Sequence, residues 1–262
     1  MLDVHPPLSP THTWKDFFIH IATISIGLLI AMGLEQTVEA VHRHRERNQL
    51  QQDLNEEAHD NLGRGTHNLA HIDQDLAWLL LLRSRIDAAR DGADKKSFQY
   101  PPQLHGFPGD PGSGDRTLSH DGAWNAAKQT GTLSLLPQGD LEFYSIFYRV
   151  MDVYTDSFTS LSLKWQKLTS FELQFERGDN AIAPEVSRVS HEQLDQYAAI
   201  VADLIKSALD TKRYLQIEIA FNESALGPKT RPDMGQYFLD HPDPVPAFDP
   251  NPIPSFDTTP MH

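Results

Sequence analysis

Phe17 to Leu34 form an almost unbroken apolar run, FFIHIATISIGLLIAMGL, with Trp14 and Lys15 just before it and the cluster His42-Arg43-His44-Arg45-Glu46-Arg47 after it. Counted from Trp14, the segment has about the 20 residues that a helix rising ~1.5 Å per residue needs to cross roughly 30 Å of hydrocarbon. Its one ionisable residue, His20, lies near an end, where it can reach the interface. The pattern predicts a transmembrane helix over 14–34, inserted in a bilayer and preceded by an arm over 1–13. A cleaved signal peptide fits poorly. Sixteen residues with three prolines precede the run, and its far end passes into Glu35-Gln36-Thr37-Val38-Glu39, a helical sequence without a processing site. No second run approaches this length, so the expectation is a chain that crosses once.

Downstream, apolar residues recur at helical spacing. Val38, Val41, Leu50, Leu54, Leu62, Leu69, Ile72, Leu76, Leu79 and Ile86 make a broken stripe on a polar background, which predicts that the membrane helix runs on into a long soluble one. Gly63 and Gly65 are expected to kink or interrupt it, because glycine costs about 1 kcal/mol in a helix interior. Arg83, Arg85, Arg90 and Gly92 are stop signals. A mobile loop over 92–118 follows, dense in Gly, Pro and Asp. A short helix capped by Ser119 then carries Ala123, Trp124, Ala126 and Ala127 to Gly131.

The clearest pattern lies beyond Pro137, Gly139 and Asp140. Leu141, Tyr144, Tyr148, Met151, Phe158, Leu161, Trp165, Leu168 and Phe175 mostly follow steps of three and four, a seam that packs between helices and that Gly178 and Asp179 end. Ser190-His191-Glu192-Gln193 is a capping box for a further helix with Leu194, Tyr197, Val201, Leu204, Ala208, Leu215 and Ile219 inward, stopped at Gly227-Pro228. The fold class expected is all-α: an N-terminal transmembrane helix continuing into a long soluble helix, packed in an antiparallel bundle of about four helices over 35–227. The tail over 228–262 holds half of the prolines and should be extended or disordered, with Tyr237, Phe238, Phe248 and Phe256 as adhesive points.

Composition narrows the function classes. A formal net charge of -14 argues against nucleic acid as a partner, because neutralising phosphates takes clustered Lys and Arg. Cysteine is absent, which removes disulfides, thiolate metal sites and cysteine nucleophiles. Arg43, Arg45 and Arg47 are the topology determinants. They outweigh Lys15 of the arm and favour a cytoplasmic C-terminal domain on a plasma (inner) membrane.

Candidate chemistry is sparse. Glu39-x-x-His42 and Glu56-x-x-His59 each place a carboxylate and an imidazole on one helix face, but both lie on the same helix and are read as solvated polar faces. His67, His71 and Asp75 line one face as an incomplete metal site, read as an exposed stripe. Ser119-His120-Asp121 holds the residue types of a hydrolase triad, yet consecutive residues rarely form one, and helix capping explains them better. The Gly-rich stretch 108–115 lacks the Gly-Lys-Ser/Thr ending of a phosphate loop and the alternating aspartates of a calcium loop. The expectation is therefore no catalytic, metal or cofactor residue. Thr23, Gly27 and Ala31 recur every four residues in the anchor, and such a small-residue face supports membrane-helix association and a homo-oligomer.

The order of parts resembles a family of uncharacterised small bacterial single-pass membrane proteins. The resemblance rests on a Gly-Leu-Leu-Ile-Ala anchor at 27–31, on Leu50, Leu54 and Asn61 in the following helix, and on a segment matched by Trp124, Gly131, Leu133, Leu136, Leu141, Tyr144 and Tyr148. It spans roughly residues 14 to 150 and implies no catalytic residue. Members with a strongly basic start would face outward; this chain lacks that start. The function expected is a membrane-anchored helical interaction or regulatory module, not catalytic, with a single-pass sensor or small-ligand-binding bundle as the alternative.

Overall fold

The computed structural model describes residues 14–92, 101, 118–175, 189–242 and 247–249. Most of these residues are helical, with no strand among them. They form α1 (Trp14–Arg90), α2 (Gly122–Thr130), α3 (Gln138–Glu172), α4 (His191–Leu226) and α5 (Met234–Asp240), with 3-10 turns at Thr132–Leu135 and Leu173–Phe175. The chain divides into two compact units, Met1–Gln51 and Gln52–His262.

In the first unit the described residues are α1 alone. Its apolar side chains through Val41 are exposed, among them Trp14, Phe18, Ile24, Leu29 and Leu34, and the 18-residue window of mean hydropathy 2.2 has no buried residue. This is one helix long and apolar enough to cross a membrane. Thr23 and Thr37 donate their hydroxyls to the carbonyls of Ile19 and Gly33, which satisfies them within the helix.

In the second unit α1, α3 and α4 share one core. Ile72, Leu76, Leu79, Leu82 and Ile86 of α1 pack with Tyr154, Leu161, Trp165 and Leu168 of α3 and Tyr197, Val201, Leu204, Ala208 and Leu215 of α4. Side-chain pairings fix the directions of these helices. From α1 to α3, Asn55 meets Tyr144, Asn68 meets Tyr154 and Trp78 meets Trp165, so the residue numbers rise together and the two helices run parallel. From α1 to α4, Asp73 pairs with Lys212 at 2.5 Å, Arg83 donates to the carbonyl of Ala198 at 2.6 Å and Arg90 pairs with Asp195 at 2.7 Å, so these run antiparallel. Ser157 with Thr211 and Lys164 with Asp203 make α3 and α4 antiparallel as well. Among the described residues these pairings join three long helices, one opposed to the other two, where an antiparallel bundle of about four was expected. The parallel course of α1 and α3 fits the described end of the connection between them, since Ser119–Trp124 lies beside Glu57 and Asn61, near the start of α1 in this unit.

Three local expectations give way. Helix α1 continues across Gly63 and Gly65 without interruption. A Cβ on Gly65 would lie 3.0 Å from Ile219 Cγ1, so this glycine lets α4 approach α1 closely instead of breaking the helix. Ser119 does not cap α2; Asp121 holds the N-cap position without a side-chain bond. The tail is not wholly extended. Between Pro232 and Pro242 no proline interrupts, and Asp233 accepts from the amides of Gly235 and Gln236 to start α5. Gly131 at φ 76 and the Ser190–Gln193 capping box form as expected. The loop expected over 92–118 lies outside the described residues apart from Gly92, Pro101 and Leu118, as do Gly178, Asp179 and Phe256.

Candidate functional site

Three helices, α1, α3 and α4, converge on the segment 119–124. Asn61 of α1, fully buried, clasps the backbone of His120 from both sides: its Nδ2 donates to the carbonyl at 2.8 Å and its Oδ1 accepts from the amide at 2.7 Å. One turn earlier, Glu57 accepts from the amide of Ala123 at 2.7 Å through Oε2 and from the Tyr148 hydroxyl through Oε1. From α4, Glu218 accepts the Ser119 hydroxyl. Trp124 then lies flat on Tyr148, while the Tyr144 hydroxyl donates to Asn55. Helix α2 lacks a side-chain cap of its own, and the Glu57 carboxylate at its first amides supplies both the missing acceptor and a favourable charge.

Burial governs the electrostatics here. Glu218 has no exposed surface, and desolvation pushes its carboxyl up to about 7, more than the hydrogen bonds from Ser119 and Asn222 pull it down. Glu57 is raised too, again chiefly by burial, with Tyr148 and Ala123 opposing. Both tyrosines are raised: Tyr148 by burial and then by the Glu57 charge, Tyr144 by burial and then by Asp140. Chemically, the arrangement is a polar clasp whose central carboxyl changes charge near neutral pH. Asn61, Trp124, Tyr144 and Tyr148 all belong to it.

The other sequence candidates fall elsewhere. In Ser119-His120-Asp121 the hydroxyl turns to Glu218 and His120 is held by its backbone, so no triad assembles. Glu39 pairs with Arg43, His42 with Glu46, and Glu56 accepts from Gln52, leaving neither Glu-x-x-His pair directed at itself. His67 and His71 do meet, with their Nε2 atoms 3.1 Å apart. The stripe is not exposed as expected, because His71 and Asp75 are buried beside the core. Among the described residues no group of three or more His, Asp or Glu is placed to hold a metal ion. Thr23, Gly27 and Ala31 lie exposed on α1, and a Cβ on Gly27 would meet nothing within 4 Å. Arg43 and Arg45 are exposed and Arg47 half-buried, its guanidinium 3.2 Å from His44 Nδ1.

Sequence reasoning passed over Glu57 and Glu218. Each stands on the inward side of its helix, Glu57 three residues after Leu54 and Glu218 three after Leu215. The available signal was a carboxylate within an inward-facing stretch, Glu218 directly preceding the core residue Ile219.

Among the described residues the protein is an all-helical chain with one candidate membrane span and a helical core unit. Compared with known proteins, no family model, no curated protein and no solved structure matches it.

Proposed function

We propose that the chain is a membrane-anchored helical module that presents its second unit to protein partners, and that it belongs with the small single-pass bacterial membrane proteins it resembles. One observation carries this reading: the apolar window of α1 is wholly exposed, whereas the apolar residues at helical spacing in the second unit are buried. An 18-residue apolar surface that no protein covers calls for hydrocarbon. In this reading Trp14–Leu34 crosses the plasma membrane and Arg43, Arg45 and Arg47 hold the second unit in the cytoplasm. The module is not catalytic; its work is recognition, through a partner protein or a second copy. Affinity purification of the detergent-solubilised full chain, with mass analysis of what co-purifies, tests it. A stoichiometric protein is the expected result, and a stoichiometric small molecule or metal overturns it.

A single-pass sensor is favoured by one observation, the Glu218 carboxyl poised near neutrality at the clasp between α1, α2 and α4. A stimulus that ionises Glu218 would place a charge that burial disfavours in the core beside segment 119–124.

A further inference from the structure

The C-terminal tail contains a tandem repeat. Asp243-Pro244-Val245-Pro246-Ala247-Phe248-Asp249-Pro250 is followed without a gap by Asn251-Pro252-Ile253-Pro254-Ser255-Phe256-Asp257-Thr258. Both prolines, the phenylalanine and the aspartate are identical, while Asp/Asn, Val/Ile and Ala/Ser keep size or shape. The chemistry of each unit is the same. Two prolines around a β-branched residue fix an extended, polyproline-like approach at low entropic cost and leave carbonyls as the backbone's recognition groups.

The structure shows how one unit is used. Phe248 is half-buried against the main core of α1, α3 and α4, and the carbonyl of Asp249 accepts from Gln74 Nε2 at 2.9 Å. Gln74 is itself buried on α1, only 8% exposed, so its amide is a fixed donor at the edge of the core and not a surface side chain met by chance. An aromatic ring and the carbonyl just after it are therefore what this seat reads. Both features recur eight residues later, in Phe256 and Asp257.

We infer that Gln74 and the core beside it form a binding seat for a Pro-(Val/Ile)-Pro-(Ala/Ser)-Phe-Asp motif, and that residues 252–257 are a second ligand for the seat that Phe248 and Asp249 occupy. Exchanging one unit for the other lengthens the tether by eight residues, and closure entropy changes only slowly with tether length. Nothing in the seat's two contacts separates the units, so the chain carries two interchangeable ligands for one site.

The test uses the full-length protein in detergent with Phe248→Ala and Phe256→Ala together, which weakens both tethered ligands. A fluorescently labelled peptide of residues 251–258 should bind this variant saturably, and an unlabelled peptide of residues 243–250 should displace it with an affinity within about threefold, because the same contacts are made. The unsubstituted chain should bind the labelled peptide at least about tenfold more weakly, since tethered motifs at high effective concentration compete. Gln74→Ala added to the variant, or Phe256→Ala in the peptide, should each weaken binding. No saturable binding to a variant of unchanged helix content overturns the inference, and so does equal binding to the variant and the unsubstituted chain. A second measurement avoids substituting Phe248: a photoreactive benzoylphenylalanine at position 256 of the otherwise native chain should crosslink to the α1 peptide containing Gln74. Absence of that product overturns the second ligand.

Discussion

Trp124 stacks on Tyr148 with ring centroids 4.7 Å apart and planes within 10° of each other. The same Tyr148 donates its hydroxyl to Glu57, which in turn accepts the amide of Ala123 beside Trp124. The short helix α2 is thus held to α1 and α3 by a closed circuit of one stacked pair and two hydrogen bonds.

Breaking that circuit should release α2. Trp124→Ala removes a nearly buried indole and should lower stability by about 3 kcal/mol. Tyr148→Phe keeps the stacking and leaves Glu57 without its hydroxyl donor, with an expected loss of about 1 kcal/mol. Thermal unfolding followed by circular dichroism gives both numbers. Hydrogen exchange at the amides of 120–130 should quicken more in the first variant; equal protection in both would refute the circuit.

Glu218 sets a pH dependence with a definite sign. Its carboxyl is raised in the folded protein from an ordinary value of 4.5 to about 7, so the folded state keeps a proton that the unfolded chain releases. Stability from this group is therefore full below pH 4.5, falls as pH rises through 7 and is level above that. Glu57, raised in the same direction, adds to the slope; Asp87, lowered by Arg83 and then Arg90, acts oppositely and only in strong acid. Glu218→Gln keeps an acceptor for Ser119 and should flatten most of the fall between pH 5 and 8. Chemical denaturation across that range checks it, and a variant as pH-sensitive as the parent would contradict the assignment.

Two glycines should respond in opposite ways. At Gly139, in the first turn of α3, a Cβ meets nothing within 4 Å, so Gly139→Ala should stabilise by about 0.5 kcal/mol or more through the lost freedom of the unfolded chain. At Gly65 a Cβ already lies 3.0 Å from Ile219, and Gly65→Leu should cost about 2 kcal/mol by forcing α4 outward. Shifts of Tm in opposite directions are the expected result.

The anchor prediction concerns membranes and not the core unit. If Thr23, Gly27 and Ala31 allow two α1 helices to approach, Gly27→Ile should reduce crosslinking in native membranes while Leu28→Ile, one residue round the helix, leaves it unchanged. Equal crosslinking in both variants, or none in the parent, removes this face as the source of association.

The sequence by itself determined the features whose causes lie within one or two helical turns. The apolar run from Phe17, the inward stripes of α3 and α4, the left-handed Gly131 and the Ser190–Gln193 box depend on neighbours three or four residues away, so periodicity and capping chemistry suffice to read them. Tertiary structure alone decided what depends on distant partners. Gly65 looked like a break because propensity counts only its own helix, yet Ile219 across the core makes a small residue useful there. Ser119 looked like a cap until Glu218, 99 positions along the chain, took its hydroxyl. Asn61 gave no sign that it clasps a backbone 59 residues away, and the parallel course of α1 and α3 rests on pairings 86 and 89 residues apart, which no local pattern encodes. A buried polar group is stable only where its partner is, and that partner's position is a property of the packed chain.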